Sequence, residues 1–295
     1  MKKFIALTLA VLMALCLLTA CGPKDVNTLN TDAGSDLKNS ASDSDVNNAA
    51  SDNSNTNDNE GNASEDKVLT MATNAFFKPY EYYDENGKIV GIDAEIAAAI
   101  AEKLGMELKI EDMKFDSIIT SVATNAVDFG MAGMTVTDER KKDVNFTNTY
   151  ATGKQVVIVK EGGAVATLDD LAGKKIGVQL GTTGDIYATD DYGLNEDETE
   201  NGNVVKYNNG NEAVLALLGG DVAAVIIDNE PAKSLVAANE GKGLVILETE
   251  YVYEEYAICV NKENTELLNK LNTAIDALIT DGTIQKIVEK YIPAN

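Results

Sequence analysis

From residue 67 onward, short apolar runs alternate with stretches of helical spacing. Residues 67–72 read as a strand. Residues 93–105 read as a helix, with Asp93 as cap, Gly105 as stop, and Ile96, Ile100 and Leu104 on one buried face. Further strands are predicted over 107–111, 128–132, 156–160, 175–179 and 223–227, and a second helix over 116–124. The final stretch, 265–291, is two helical runs broken at Asp281-Gly-Thr283 and needs a sheet to pack on. This alternation predicts an α/β chain of largely parallel sheets covered by helices, with ligands beyond the carboxyl ends of the strands.

Before residue 67 the pattern is different. Lys2 and Lys3 precede an apolar run over 4–18 that ends in Leu18-Thr-Ala-Cys21, which resembles a bacterial lipoprotein signal. That resemblance implies export, a signal peptide over 1–20, and Cys21 as a lipidated N-terminus bearing a thioether-linked diacylglycerol and a palmitate-type acyl chain. The alternative is an uncleaved anchor helix with an incidental cysteine. Cys16 would be discarded with the signal, leaving Cys259 as a small buried apolar residue without an intramolecular partner. Residues 21–66 are Asn, Ser, Asp, Thr and Ala with almost nothing to bury, the composition of a tether. As a flexible coil it would span roughly 35 to 40 Å.

The chain carries 24 basic and 48 acidic residues and no histidine, for a net charge of −24. Residues 67–295 hold −18 of that, which argues against nucleic acid or anionic lipid as the ligand.

Only one basic residue is arginine: Arg140, in Thr135-Val-Thr-Asp-Glu-Arg140. A guanidinium is planar, always charged and bidentate, so it suits a carboxylate ligand better than lysine does. The competing reading is a solvated residue in the first turn of a helix capped by Thr137. Gly181-Thr-Thr-Gly-Asp185 follows a predicted strand, and its free amides suit an anion. Asp228 ends the strand at 223–227, as a cation acceptor or an ordinary helix cap. One arginine, one amide nest and one aspartate supply partners for both charges of a zwitterion. The aromatic run Phe76-Phe-Lys-Pro-Tyr80, with Tyr82, Tyr83 and Phe115, forms either core or pocket wall.

The matching stretches are Phe77-Lys-Pro-Tyr-Glu81, Gly87-Lys-Ile-Val-Gly-Ile-Asp93, Gly133-Met-Thr-Val-Thr-Asp-Glu-Arg140, Asp170-Leu-Ala-Gly-Lys-Lys-Ile-Gly-Val-Gln-Leu-Gly-Thr-Thr-Gly184, Ala224-Val-Ile-Ile-Asp228 and Asp281-Gly-Thr283. In this order they resemble a family 3 bacterial solute-binding protein, the receptor of polar amino acid ABC importers. The resemblance implies a two-lobe type II periplasmic-binding-protein fold, each lobe a sheet flanked by helices, with a hinge of two crossing segments. Lobe one would be 67–154 plus 254–295 and lobe two 155–253. It also implies that Arg140 grips the ligand α-carboxylate with the amides of Thr135 and Thr183. Asp228, the Gly133 carbonyl and the Thr135 hydroxyl would take the α-ammonium, and Phe77 and Phe115 would sandwich the side chain.

Asn74 stands where relatives often carry an aspartate, so the expected ligand is polar and neutral, glutamine-like; the alternative is arginine or lysine stacked on the phenylalanines. The expected partners are an ABC permease with its ATPase, and the membrane through the lipid anchor on the extracytoplasmic face. The chain is expected to act as a monomer, with no cofactor, metal or nucleic acid. A dehydratase-like enzyme and an adhesin are the competing functions. The first has little to work with, because no histidine is available for acid–base chemistry.

Overall fold

Leu69, Met71, Ile96 and Ile100 are completely or almost completely buried, because the first strand and first helix press their apolar faces together. The computed structural model describes residues 68–247 and 252–293, all within the unit Gly61–Asn295. The expected signal peptide at 1–20, the lipidated Cys21 and the tether at 21–66 lie outside the described residues.

In chain order, β1 (Val68–Thr73) leads into three short strands, β2 (Phe76–Phe77), β3 (Glu81–Tyr83) and β4 (Ile89–Val90). Then come α1 (Ile92–Leu104), β5 (Glu107–Asp112), α2 (Phe115–Ala123), β6 (Phe129–Gly130) and β7 (Val144–Phe146). The second stretch comprises β8 (Ala151–Lys160), β9 (Ile176–Gln179), α3 (Thr183–Ala188), β10 (Val204–Tyr207), α4 (Gly210–Gly219), β11 (Ala224–Asp228), α5 (Asn229–Ala238) and β12 (Leu244–Ile246). Finally β13 (Val252–Tyr256) and β14 (Cys259–Asn261) precede α6 (Thr265–Thr280) and α7 (Thr283–Tyr291).

The strands form two main sheets, one per lobe. The first has the order β5-β1-β6-β14-β7 and the second β10-β9-β11-β8-β12, with β13 also on β8. Within each lobe the strands joined through helices pair in parallel, as the alternation predicts. The antiparallel pairs, not anticipated, involve β8 and β14, the strands that follow each passage between the sheets. β8 and β13 lie side by side from Ala151↔Tyr256 to Gln155↔Val252, so the two passages are laced together by backbone hydrogen bonds. The aromatic run read as a loop is instead the small antiparallel sheet β2-β3-β4. It is too short to give a periodic signal.

Asp93 is not a cap. Gly91, with φ +128, occupies the cap position of α1; a Cβ there would lie 2.2 Å from the Tyr80 carbonyl oxygen. Asp93 instead turns inward, where its Oδ2 accepts from the Gly133 amide and the Tyr150 hydroxyl, each at 2.8 Å. Burial raises its pKa to about 6 while those two donors hold it down. Across from it, burial and then the Asp93 charge push fully buried Glu81 well above the carboxylate range. Neither Glu81 oxygen, nor Asp93 Oδ1, meets an N–H or hydroxyl donor. A proton on Glu81 donated to Asp93 accounts for the pair.

Two outcomes follow from this packing. A folded-state pKa raised above the unfolded value means that the native chain holds a proton the unfolded chain has released. The stability from that proton is full below the unfolded pKa and is lost as pH rises through about 6. The urea midpoint is therefore expected to be higher at pH 5 than at pH 7, and Asp93→Asn to shrink the difference; an unchanged difference contradicts the assignment. Gly153 faces Glu254 across the β8–β13 ladder, and a Cβ on it would lie 2.0 Å from the Tyr256 hydroxyl oxygen. Gly153→Ala is expected to destabilise by roughly 1 to 3 kcal/mol in denaturant titration. Gly219→Ala, in a helix with room for the methyl, should change stability by under about 1 kcal/mol.

Candidate functional site

The turns that leave the sheets on their facing edges carry the polar residues. Asn74 follows β1, Phe77 lies in β2 and Phe115 opens α2. Gly133 and Thr135 follow β6, Thr183 opens α3, and Asp228 ends β11. All of these line one cleft, together with Arg140 and with Glu81, Ala132, Gln179 and Thr182.

Arg140 begins a 3-10 turn, Arg140–Lys142, with Glu139 rather than the expected Thr137 at the cap position; the Arg140 amide still donates to Thr137 Oγ1 at 3.1 Å. The side chain is not solvated; the residue is only 6% exposed. Nη1 donates to the Thr135 carbonyl at 2.7 Å and Nη2 to the Gly181 carbonyl at 3.0 Å, joining a turn of one lobe to a turn of the other. The guanidinium carbon lies 5.3 Å from the Phe115 ring centroid. Burial lowers the pKa of Arg140, and the Glu254 charge is the largest influence opposing it.

The nest at Gly181 is partly engaged from within. Asp185 Oδ2 accepts the Gly181 amide at 3.0 Å, and the Thr182 hydroxyl caps α3 by accepting from the Asp185 amide at 3.3 Å. Asp228 sits at the cap position of α5 but makes no cap bond with its side chain. It accepts instead from the Tyr256 hydroxyl. Burial, then the Glu254 charge, raise the Asp228 pKa well above the carboxylate range, while the Tyr256 hydroxyl draws it down.

Thr135 Oγ1 donates to Glu254 Oε2 at 3.0 Å, and Gln155 Nε2 donates to the same oxygen at 3.0 Å. Asn74 Nδ2 donates to the Met113 carbonyl at 2.8 Å, and its Oδ1 accepts from Gln179 Nε2 at 2.9 Å. Gly133 has φ +51, and a Cβ there would lie 2.6 Å from the Phe77 ring. Only glycine lets that ring lie flush against the turn.

Sequence reasoning missed two lining residues, Glu81 and Gln179, and the buried polar groups behind the lining, Gln155, Glu254 and Tyr256. Part of this set carried a signal. In Val252–Tyr256 every second residue faces inward, so period-2 reading places Glu254 on the same face as buried Tyr256 and leaves Glu255 outside. Gln155 carries no comparable sign.

Residues 69–294 match the family model described as bacterial extracellular solute-binding proteins, family 3. The chain is 34% identical over 237 residues to the arginine-binding extracellular protein ArtP of Bacillus subtilis, covering 79% of this chain and 89% of that protein. The crystal structures of the arginine-, lysine-, histidine-binding protein ArtJ of Geobacillus stearothermophilus superpose with a TM-score of 0.71 at 33% identity, over 78% of this chain and 96% of that one. An ancestral arginine-binding protein bound to glutamine gives a TM-score of 0.71 at 40% identity, over 77% of this chain and 99% of that one. With a matching model over nearly the whole described part and two lobes flanking a polar cleft, the chain belongs to the family 3 bacterial extracellular solute-binding proteins.

Proposed function

We propose that the chain is the extracytoplasmic receptor of an ABC importer and captures a free basic amino acid, arginine in the first instance, in the cleft between its lobes. The observation that carries the reading is the set of ionisable groups on the cleft wall, where a single guanidinium, Arg140, shares the lining with two acids, Glu81 and Asp228, and with Phe77 and Phe115; two cationic groups on a ligand would pair with those acids as they release their protons. A ligand with one carboxylate and two cationic groups balances that set. The names of ArtP and ArtJ point the same way. The glutamine-like expectation drawn from Asn74 gives way to the basic-ligand alternative that those names favour; Asn74 itself hydrogen-bonds Met113 and Gln179.

In this reading Arg140 and the Thr135 and Thr183 amides hold the α-carboxylate. Asp228, the Gly133 carbonyl and the Thr135 hydroxyl hold the α-ammonium, and Glu81 meets the cationic side chain. Lobe one comprises 67–154 plus 254–295 and lobe two 155–253, closing about β8 and β13. Cys21 is the lipid attachment, placing the receptor on the outer face of the cell membrane beside its permease; the apolar run ending in Leu18-Thr-Ala-Cys21 supports that part.

Titration calorimetry on the purified chain is expected to show L-arginine binding, and Arg140→Lys should weaken it at least tenfold, about the worth of a charge-assisted bond. Unchanged affinity in that variant refutes the carboxylate grip. Burial pushes the Glu81 pKa well above the usual carboxylate range, so pairing it with a cationic side chain is expected to draw a proton from it. Calorimetry at pH 7 in buffers of different ionisation enthalpy should show more proton release for L-arginine than for L-glutamine, and Glu81→Gln should remove the difference. Equal release from the two ligands counts against Glu81 as the side-chain partner.

A further inference from the structure

A threonine hydroxyl has one hydrogen to give and two lone pairs, so the role of Thr135 depends on where that hydrogen points. An ammonium ion donates only. Thr135 can meet it only if the hydroxyl hydrogen is directed elsewhere. The geometry points to Glu254 as the positioning residue that takes the Thr135 hydroxyl hydrogen and so presents the Thr135 oxygen to the ligand's α-ammonium as an acceptor. This rests on the reading of Thr135 as an ammonium contact.

Three observations support it. The bond from Thr135 Oγ1 to Glu254 Oε2 is 3.0 Å long, while the alternative partner, Thr183 Oγ1, lies 3.5 Å away, where a hydroxyl bond is weak. The Glu254 oxygen is pinned from its other side by Gln155 Nε2 at 3.0 Å, and Glu254 is buried. The two residues are also held in register by backbone. Thr135 bridges Tyr256, Val136 donates to the Glu255 carbonyl at 3.0 Å, and Ala257 donates to the Met134 carbonyl at 3.1 Å. The polarity of Thr135 is thus set by the strand that crosses between the lobes and is in place before a ligand arrives.

Glu254 also faces other titratable groups: Arg140 from the 3-10 turn, Asp228 from β11, Tyr187 from α3 and Tyr256 from its own strand. Being the main charge opposing Arg140, it contributes nothing to the hold on a carboxylate. This gives the test opposite signs at the two ends of the ligand.

Calorimetry on the purified full chain would compare L-arginine with guanidinovalerate, its analogue without the α-amino group. Glu254→Ala should weaken L-arginine about tenfold or more and leave guanidinovalerate unchanged or tighter. Glu254→Gln, which keeps an acceptor oxygen, should retain most of the arginine affinity. In Thr135→Val the further change Glu254→Ala should cost nothing more. Equal losses for both ligands, additive losses in the double variant, or a glutamine variant as weak as alanine would each overturn the assignment. If Glu254→Ala loses its circular dichroism spectrum, Glu254→Met takes its place, keeping the volume without the acceptor. A wild-type chain that ignores L-arginine but binds another amino acid refutes the basic-ligand reading alone. The same comparison then decides Glu254 with that amino acid and its des-amino acid. Binding of no amino acid overturns both.

Discussion

A guanidinium cannot shed its charge, so burying Arg140 forces everything near it to accept hydrogen or carry negative charge. The Thr135 and Gly181 carbonyls accept hydrogen bonds from it, Phe115 offers a ring face, and Glu254 supplies the largest opposing charge. The acid that satisfies Arg140 then burdens its neighbours. Glu254 is one reason why the Asp228 pKa is raised, and Asp228 in turn bears on Glu81. One buried cation thus organises a field of carboxyls from the cleft to the start of α1, where Asp93 ends the series against Tyr150 and Gly133.

The two strands that link the lobes do more than connect them. β8 supplies Gln155, and β13 supplies Glu254 and Tyr256, so the polar layer behind the cleft lining is built from the segments about which the lobes would turn. Gly153 makes this possible by leaving room for the Tyr256 ring to cross the ladder and reach Asp228. A residue placed on the crossing strands moves least when the lobes rotate, and is therefore a fixed reference for both.

Much of this was legible in the sequence. Arg140 stood out as the only arginine, and the strands around it followed from apolar alternation over four or five residues. The eight residues expected to contact a ligand do come together, because most of them open, end or follow an element whose period could be read; Phe77, in the short β2, and Arg140, in a 3-10 turn, are the exceptions. Asp93 misled, since an acid at a helix start usually caps it, whereas here Gly91 makes the tight entry and the carboxyl is drawn inward by a tyrosine 57 positions away. Glu254 and Gln155 were missed because their partners are remote in sequence. Asn74 was read by identity at its position, when its amide is committed to Met113 and Gln179.

The bonds that join the facing turns directly, Arg140 to Gly181 and Asn74 to Gln179, occupy groups that a ligand would also seek. The protein thereby acts as its own competitor. An incoming molecule gains only the difference between its contacts and those it displaces, so weak binders gain nothing by entering. Those two bonds set the free energy that ligand contacts to the same groups must exceed.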